Sequence, residues 1–255
     1  MEAEIHMFPC LNDNYGFLIH DPATSATATI DTPEATAINK ELRKKKWALT
    51  HIFNTHHHFD HAGGNVELKK EWNCEIVGAA IDERRIPGLD RKVVDGQTFQ
   101  LGEISVRVLE VPGHTTGHIA YYFAGQKVVF VGDTIFAMGC GRLFEGTADQ
   151  MWSSLNKLMD LPIETKIYCA HEYTESNADF AISIDPRNQD LIKRVAEVKK
   201  LRLEGLATVP TYLGLEQLTN PFLRADNNEL KKELGMEGCD AGEVFAMIRK
   251  LKDNF

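Results

Sequence analysis

The stretch Thr55-His56-His57-His58-Phe59-Asp60-His61-Ala62-Gly63-Gly64 crowds imidazoles and a carboxylate into a few residues. Where a chain is extended or tightly turned, alternate side chains point the same way, so His56 and His58 can meet one metal ion while His57 faces elsewhere. Asp60 and His61 fall where the chain turns into the next helix and could address a second ion. Imidazole and carboxylate donors suit Zn(II), and also Mn or Fe, better than Mg or Ca. A histidine-rich tract alone could be an accidental chelator, and a single histidine at a strand end is usually an ordinary surface or core residue. Here the cluster is joined by three further donors, His114, Asp133 and His171, which supply what two coordination shells would lack.

These donors must be delivered by regular elements, and the sequence shows a recurring device. An apolar, strand-like run is followed at once by a histidine or aspartate. His51-Ile52-Phe53-Asn54-Thr55 leads into His56, and Ser105 to Val111 leads through Pro112-Gly113 into His114. Val128-Val129-Phe130-Val131-Gly132 leads into Asp133, and Ile167-Tyr168-Cys169-Ala170 into His171. β-Branched and aromatic runs closed by turn residues read as strands. If these strands share a sheet, their ends can converge on one edge. Helical spacing is expected over Asn65 to Trp72 and over Met151 to Met159, so the pattern is that of an α/β layered domain.

After about residue 172 the pattern becomes helical. Asp185-Pro186 reads as an N-cap followed by proline at the first helical position, with Leu191, Ile192, Val195, Val198 and Leu201 as an apolar stripe. Residues 207–222, with Pro210, Gly214 and Pro221, read as a long connection. Asp240-x-x-Glu243 reads as a capping box for a last helix ending near Lys252. The expected division is 1–172 for a catalytic domain and 173–255 for a helical substrate-binding domain.

The 255 residues are long enough for a real core, and 43% hydrophobic with 25% charged residues is an ordinary globular balance. No apolar run approaches the ~20 residues that span a bilayer. The first ten residues resemble neither a secretory signal nor a transit peptide, which points to the cytoplasm. Five scattered cysteines without CxxC spacing argue against a disulfide scaffold. A formal net charge of −9 argues against a broad nucleic-acid surface.

The HxHxDH signature, the loop Gly113-His114-Thr115-Thr116-Gly117-His118, the strand end Gly132-Asp133-Thr134 and the later His171 resemble the metallo-β-lactamase superfamily. Other stretches resemble one branch of it, glyoxalase II or hydroxyacylglutathione hydrolase. They are Gly139-Cys140-Gly141-Arg142-Leu143-Phe144-Glu145-Gly146-Thr147, Ala170-His171-Glu172-Tyr173-Thr174, Thr219-Asn220-Pro221-Phe222-Leu223-Arg224 and Arg249-x-x-Lys252-Asp253. The resemblance runs from Leu11-Asn12-Asp13-Asn14-Tyr15 to the last turn. It implies an αββα sandwich with a helical C-terminal domain. It further implies that His56, His58 and His114 hold one metal, that Asp60, His61 and His171 hold the other, and that Asp133 bridges them. Zinc is the first expectation for both ions, with iron or manganese as alternatives. Substrate would be gripped by Arg142, Tyr173, Arg249 and Lys252. At Phe144 some members carry a tyrosine, so a hydrogen-bond donor to glutathione is missing and another thiol carrier comes into question.

The implied reaction is hydrolysis of S-2-hydroxyacylglutathione thioesters, S-D-lactoylglutathione to D-lactate and glutathione, as in methylglyoxal detoxification. Two cations roughly 3.5–4 Å apart lower the pKa of a shared water, and the bridging hydroxide would attack the thioester carbonyl. Asp60 would orient that water or receive its proton. The departing thiol is acidic, at a pKa of about 8.5, so no strong general acid is demanded. Cys140 as a covalent nucleophile is the competing scheme, disfavoured because a metal-bound hydroxide already serves.

Arg249 and Lys252 lie on one helix face, although cations in a last turn also simply suit the helix dipole. His57 and His118 read as supporting groups, and His6, His20 and His51 as structural or solvent-facing. Asp31 and Glu172 could hydrogen-bond ligand imidazoles. The rival functions are a persulfide dioxygenase, a nuclease, a β-lactamase and a non-enzymatic metal-binding protein. They are disfavoured respectively by the full two-metal donor set, the acidic charge, the lack of a signal peptide and, for the last, the completeness of the set. No membrane, nucleic-acid or obligate protein partner is expected.

Overall fold

Continuous apolar runs make strands buried on both faces, and two such sets are stacked in the first of two units. The computed structural model describes residues 2–255, which fall into one unit of the residues up to Glu110 with Gly117–Gly132 and another of Val111–Thr116 with Asp133–Phe255. In the first unit β1 (Glu4–Cys10), β2 (Asn14–His20) and β3 (Thr27–Ile30) are antiparallel neighbours. The sheet continues in parallel through β4 (His51–Phe53), β5 (Glu75–Ala79) and β6 (Arg91–Val93). Parallel neighbours need crossovers. The one between β3 and β4 contains α1 (Ala35–Lys45), and the one between β4 and β5 contains the short α2 (Phe59–Ala62) and α3 (Asn65–Trp72). Ile38 and Leu42 of α1 and Leu68 of α3 cover Leu18, Ile52 and Ile76 of the sheet.

An antiparallel meander follows: β7 (Thr98–Leu101), β8 (Ile104–Glu110), β9 (Ile119–Phe123) and β10 (Val128–Gly132). Aromatic rings join it to the first sheet. Phe17 meets Phe130 edge-on at 5.3 Å between centroids, and Phe53 meets Phe99 and Tyr121, each at 5.2 Å. Such pairs are worth about 0.5–1.5 kcal/mol each beyond their burial. β2, β9 and β10 are buried at every position, which explains runs without polar alternation, whereas β8 alternates.

The second unit holds the hairpin β11 (Ile135–Phe136) and β12 (Gly139–Cys140), then α4 (Ala148–Met159), β13 (Lys166–Cys169), α5 (Thr174–Ile184) and α6 (Gln189–Leu203). β14 (Thr211–Tyr212), α7 (Leu213–Thr219), α8 (Asn228–Glu233) and α9 (Ala241–Asp253) complete it. Ala178 and Ala181 of α5 pack with Leu191, Val195 and Val198 of α6 around Met138. A second core runs through the rings of Phe180, Phe222, Phe245 and Trp152.

Three expectations are corrected. The strands that precede the donors do not share one sheet: β4 lies in the first, β8 and β10 in the meander. The cap of α6 is Asn188, which accepts from the amides of Asp190 and Leu191, while Asp185 closes α5 and pairs with Arg224. Residues 207–222 are no plain connection, because β14 and α7 form there. By contrast α3, α4 and α9 lie where periodicity put them, and α9 has the capping box of Asp240 and Glu243.

Candidate functional site

In the first unit, β4 ends at Phe53 and the next residues are locked by Asp31, a buried aspartate in the left-handed region at φ 57°. Thr55 donates its amide to Asp31 Oδ1 at 2.7 Å and its hydroxyl to Oδ2 at 2.8 Å. His61 Nδ1–H donates to the same Oδ2 at 2.8 Å. His56 Nδ1 lies 3.0 Å from the Thr55 hydroxyl, which makes that nitrogen the donor once the hydroxyl proton is committed to Asp31. Asp31 thereby fixes the protonated face of two histidines, directly and through Thr55, as the sequence reading suggested for it. A strained backbone held by so many bonds is characteristic of functional sites.

His56 Nε2 faces His58 Nδ1 at 3.1 Å, so these two point the same way. His57 turns aside, with Nδ1 3.3 Å from the fully buried Asp82. His118 stacks on His56 at 4.6 Å between centroids, a supporting position. Asn14 donates to Asp60 Oδ2 at 3.1 Å, and Asp60 Oδ2 lies 3.4 Å from His61 Nε2. Gly132 lies at φ 49°, and a side chain there would run into Thr55 and His118.

In the second unit Asp133 is the hub. Its Oδ2 lies 3.5 Å from His114 Nε2 and its Oδ1 3.4 Å from His171 Nε2, with all three residues buried. His114 Nδ1–H donates to the carbonyl of Arg142 at 2.9 Å. His171 is stacked on Tyr173 at 4.7 Å and met edge-on by Phe136 at 5.9 Å. The loop after β12 is stitched to the His114 segment. Phe144 N donates to His114 O and Gly146 N to Gly113 O, while Glu145 Oε2 accepts from Thr116 N and Oγ1.

Beside these donors lies a cavity of about 580 Å³ whose lining includes His114 and Asp133. The same lining brings in Arg142, Phe144, Tyr173, Arg249 and Lys252, the five residues expected to meet substrate. Arg142 and Phe144 are exposed. Arg249 is buried at 4% exposure, donates to the Cys140 carbonyl at 2.6 Å and to Asp253, and lies over the Phe222 ring. Lys252 donates to the Ser176 carbonyl at 3.0 Å, and burial first, then the nearby Arg249 and Arg142, hold its pKa down to about 8.

Cys140 also lines the cavity, but burial raises its thiol to about 12 despite Arg249 close by, so it is no thiolate nucleophile at neutral pH. Glu172 accepts from Thr208 N and Oγ1 and pairs with Arg202. The sequence reading missed Phe136, Ser176 and Asn177 in the lining. Asn177 follows Tyr173 by one helical turn, a spacing that a predicted α5 would have exposed.

The donor chemistry fits divalent metal ions. His56, His61 and His114 each commit Nδ1 to an oxygen, which leaves Nε2 as the lone-pair nitrogen, the usual tautomer of a ligand histidine. Each of the seven predicted ligands is a side chain of metal-binding type. Comparison with known proteins adds two family matches: "Metallo-beta-lactamase superfamily" over residues 18–171 and "Hydroxyacylglutathione hydrolase C-terminus" over residues 172–255. The chain is 52% identical to the hydroxyacylglutathione hydrolase of Methylococcus capsulatus over 99% of its own length and 98% of that protein. Among solved structures, ETHE1 from Myxococcus xanthus superposes with a TM-score of 0.70 at 25% identity, covering 98% of this chain and 90% of that one. TTHA1623, solved in a di-iron-bound form, shares the fold with a TM-score of 0.63 at 23% identity, covering 86% of this chain and 100% of the other.

Proposed function

We propose that this chain, which belongs to the hydroxyacylglutathione hydrolase family of the metallo-β-lactamase superfamily, cleaves S-D-lactoylglutathione to D-lactate and glutathione at two divalent ions. Its reaction class is hydrolysis of a hydroxyacylglutathione thioester. The ions would be held by His56, His58, Asp60, His61, His114, Asp133 and His171. Zinc is the first choice, and iron or manganese suits the same donors. When bound, such ions supply an activated water and a Lewis acid for the carbonyl oxygen.

The residues of the chain do the rest. His114 Nε2 and His171 Nε2 both face the Asp133 carboxylate, which sets these three donors side by side. Asp60, steadied by Asn14, would orient the attacking water or take its proton. Arg142, Tyr173, Arg249 and Lys252 receive the thiol carrier, whose carboxylates call for cations and hydrogen-bond donors. Phe144 offers carrier contact without a hydrogen bond. In this reading residues 1–172 form the catalytic domain and 173–255 the substrate-binding one, acting in the cytoplasm without an obligate protein, nucleic-acid or membrane partner. Among the described residues no helix is long and apolar enough to cross a membrane.

The observation that carries the proposal is the cavity in which three cationic side chains stand beside His114 and Asp133. Purified protein should turn over S-D-lactoylglutathione, lose that activity on chelation and regain it with Zn, Fe or Mn. No turnover by protein shown to hold two metals would remove the glutathione thioester from the assignment.

Lys252 gives the reaction a pH signature. A lysine ordinarily titrates near 10.5, and here burial favours the neutral amine, so the ammonium is present below about 8 and lost above it. The substrate carboxylates stay ionised throughout. kcat/KM should therefore fall as pH rises through about 8, chiefly through KM, and Lys252→Arg should remove that limb. An alkaline limb unchanged in the arginine variant would take Lys252 out of carrier binding.

A further inference from the structure

Between Asp133 and Arg142 the chain makes the tight β11–β12 hairpin, and its backbone groups are held by side chains from later in the sequence. Asn220 Nδ2 donates to the carbonyls of Phe136 at 3.1 Å and Gly139 at 2.9 Å. Asn177 Nδ2 donates to the carbonyl of Ala137 at 3.2 Å, and Glu216 Oε2 accepts from the amide of Met138 at 2.9 Å. Arg249 takes the carbonyl of Cys140 at 2.6 Å. Every residue from Phe136 to Cys140 thus has a main-chain group fixed by a side chain of α5, α7, the residue that ends α7, or α9. At the tip Met138 is wholly buried in the left-handed region at φ 54°, a conformation that a bulky side chain adopts only when its surroundings impose it.

The holding groups are themselves fixed. Glu216 and Asn220 are fully buried, Asn220 Nδ2 also donates to Glu216 Oε2 at 3.0 Å, and Glu216 Oε1 is paired with Arg194. What the hairpin presents on its other side is the cavity: Phe136 and Cys140 line it, and Phe136 leans on both His171 and Tyr173.

We infer that Asn220, acting with Glu216 and Asn177, is a positioning residue that sets the shape of the carrier-binding wall by clamping the 136–140 backbone. This gives the Thr219-Asn220-Pro221-Phe222 stretch a role in binding, although Asn220 itself is not among the residues lining the cavity. The inference rests on the thioester-hydrolase reading for its kinetic consequence but not for its structural one.

The test uses metal-loaded full-length protein, with Asn220→Ala and the milder Asn177→Ala beside Leu230→Ala. Leu230 is a buried residue of α8 outside the apolar cluster around Met138, and its loss lowers stability without removing a hydrogen bond to the hairpin. Hydrogen exchange of the peptide spanning residues 134–141 should quicken at least about tenfold in Asn220→Ala, and not in Leu230→Ala, because an opened clamp raises local exchange. With S-D-lactoylglutathione, KM should rise about tenfold, kcat should stay within about threefold and metal content should be unchanged, the pattern of lost carrier binding. Should Asn220→Ala not fold, Asn177→Ala carries the exchange readout with a smaller effect, its KM being left aside because Asn177 itself lines the cavity. Unchanged exchange over 134–141, or a KM shift matched by Leu230→Ala, would overturn the inference. An inactive wild type would instead sink the hydrolase reading, and the exchange result would still decide on the clamp.

Discussion

Asp133→Asn is expected to lower kcat/KM by about a thousandfold or more while leaving the protein folded. The substitution is isosteric, so the packing of this buried side chain is kept. What is lost is the charge that faces His114 Nε2 and His171 Nε2 at 3.5 and 3.4 Å from its two oxygens. An amide presents one oxygen and one NH2, and the NH2 must then face an imidazole nitrogen that should carry a lone pair. A lost metal contribution of several kcal/mol corresponds to roughly three orders of magnitude in rate. Metal content per chain, measured alongside activity, should fall by about half or more, since in the proposed site this carboxylate would serve both ions. Full metal content with near-normal turnover would show that Asp133 does not join the ions.

Arg194→Met should strongly destabilise the second unit. Arg194 and Glu216 form an ion pair at 5% and 0% exposure, with Thr219 and Thr211 taking further guanidinium protons at 2.5 and 2.9 Å. Removing one partner of such a pair strands the other, at a cost of about 3–5 kcal/mol. In a protein of this size that lowers Tm by roughly 6–20 °C. Because Glu216 also holds the Met138 amide, the loss should appear first in the hairpin. Calorimetry of Arg194→Met and Glu216→Gln would check it, and a fall of under about 2 °C would show that the pair contributes little.

The parts of the molecule legible beforehand were those written as periodicity or as residue type. The strand runs before His56, His114, Asp133 and His171 carried their own punctuation, and the Asp240 and Glu243 pair announced α9 before any packing was known. Elements without an amphipathic stripe stayed hidden. In α5 the buried residues include Thr174 and Asn177 beside Ala178, Phe180 and Ala181, so polar and apolar positions share its inner face. Asp185-Pro186 had the look of a helix start, but Asn188 makes two capping bonds three residues later and prevails. The clamp on the hairpin left no trace in the pattern because its members act on backbone carbonyls and amides, which every residue has. As for the site, residue type exposed the donors, whereas the tautomer each histidine adopts depends on Asp31 and the Arg142 carbonyl, and those contacts exist only once the chain has folded.

The bond from His114 to the carbonyl of Arg142 has a consequence for how this protein can change over evolution. Arg142, whose side chain is proposed to meet the carrier, also uses its main chain to hold the ring of His114, a proposed metal donor, and Phe144 and Gly146 are tied to the same segment. Side chains on this loop can be exchanged one for another without moving that carbonyl, so taste for a new carrier is open to single substitutions. Insertions and deletions are not, since a shift of one residue would slide the carbonyl away from His114. Lineages derived from this protein should therefore diverge at positions 142 and 144 in composition while keeping the length of the loop fixed.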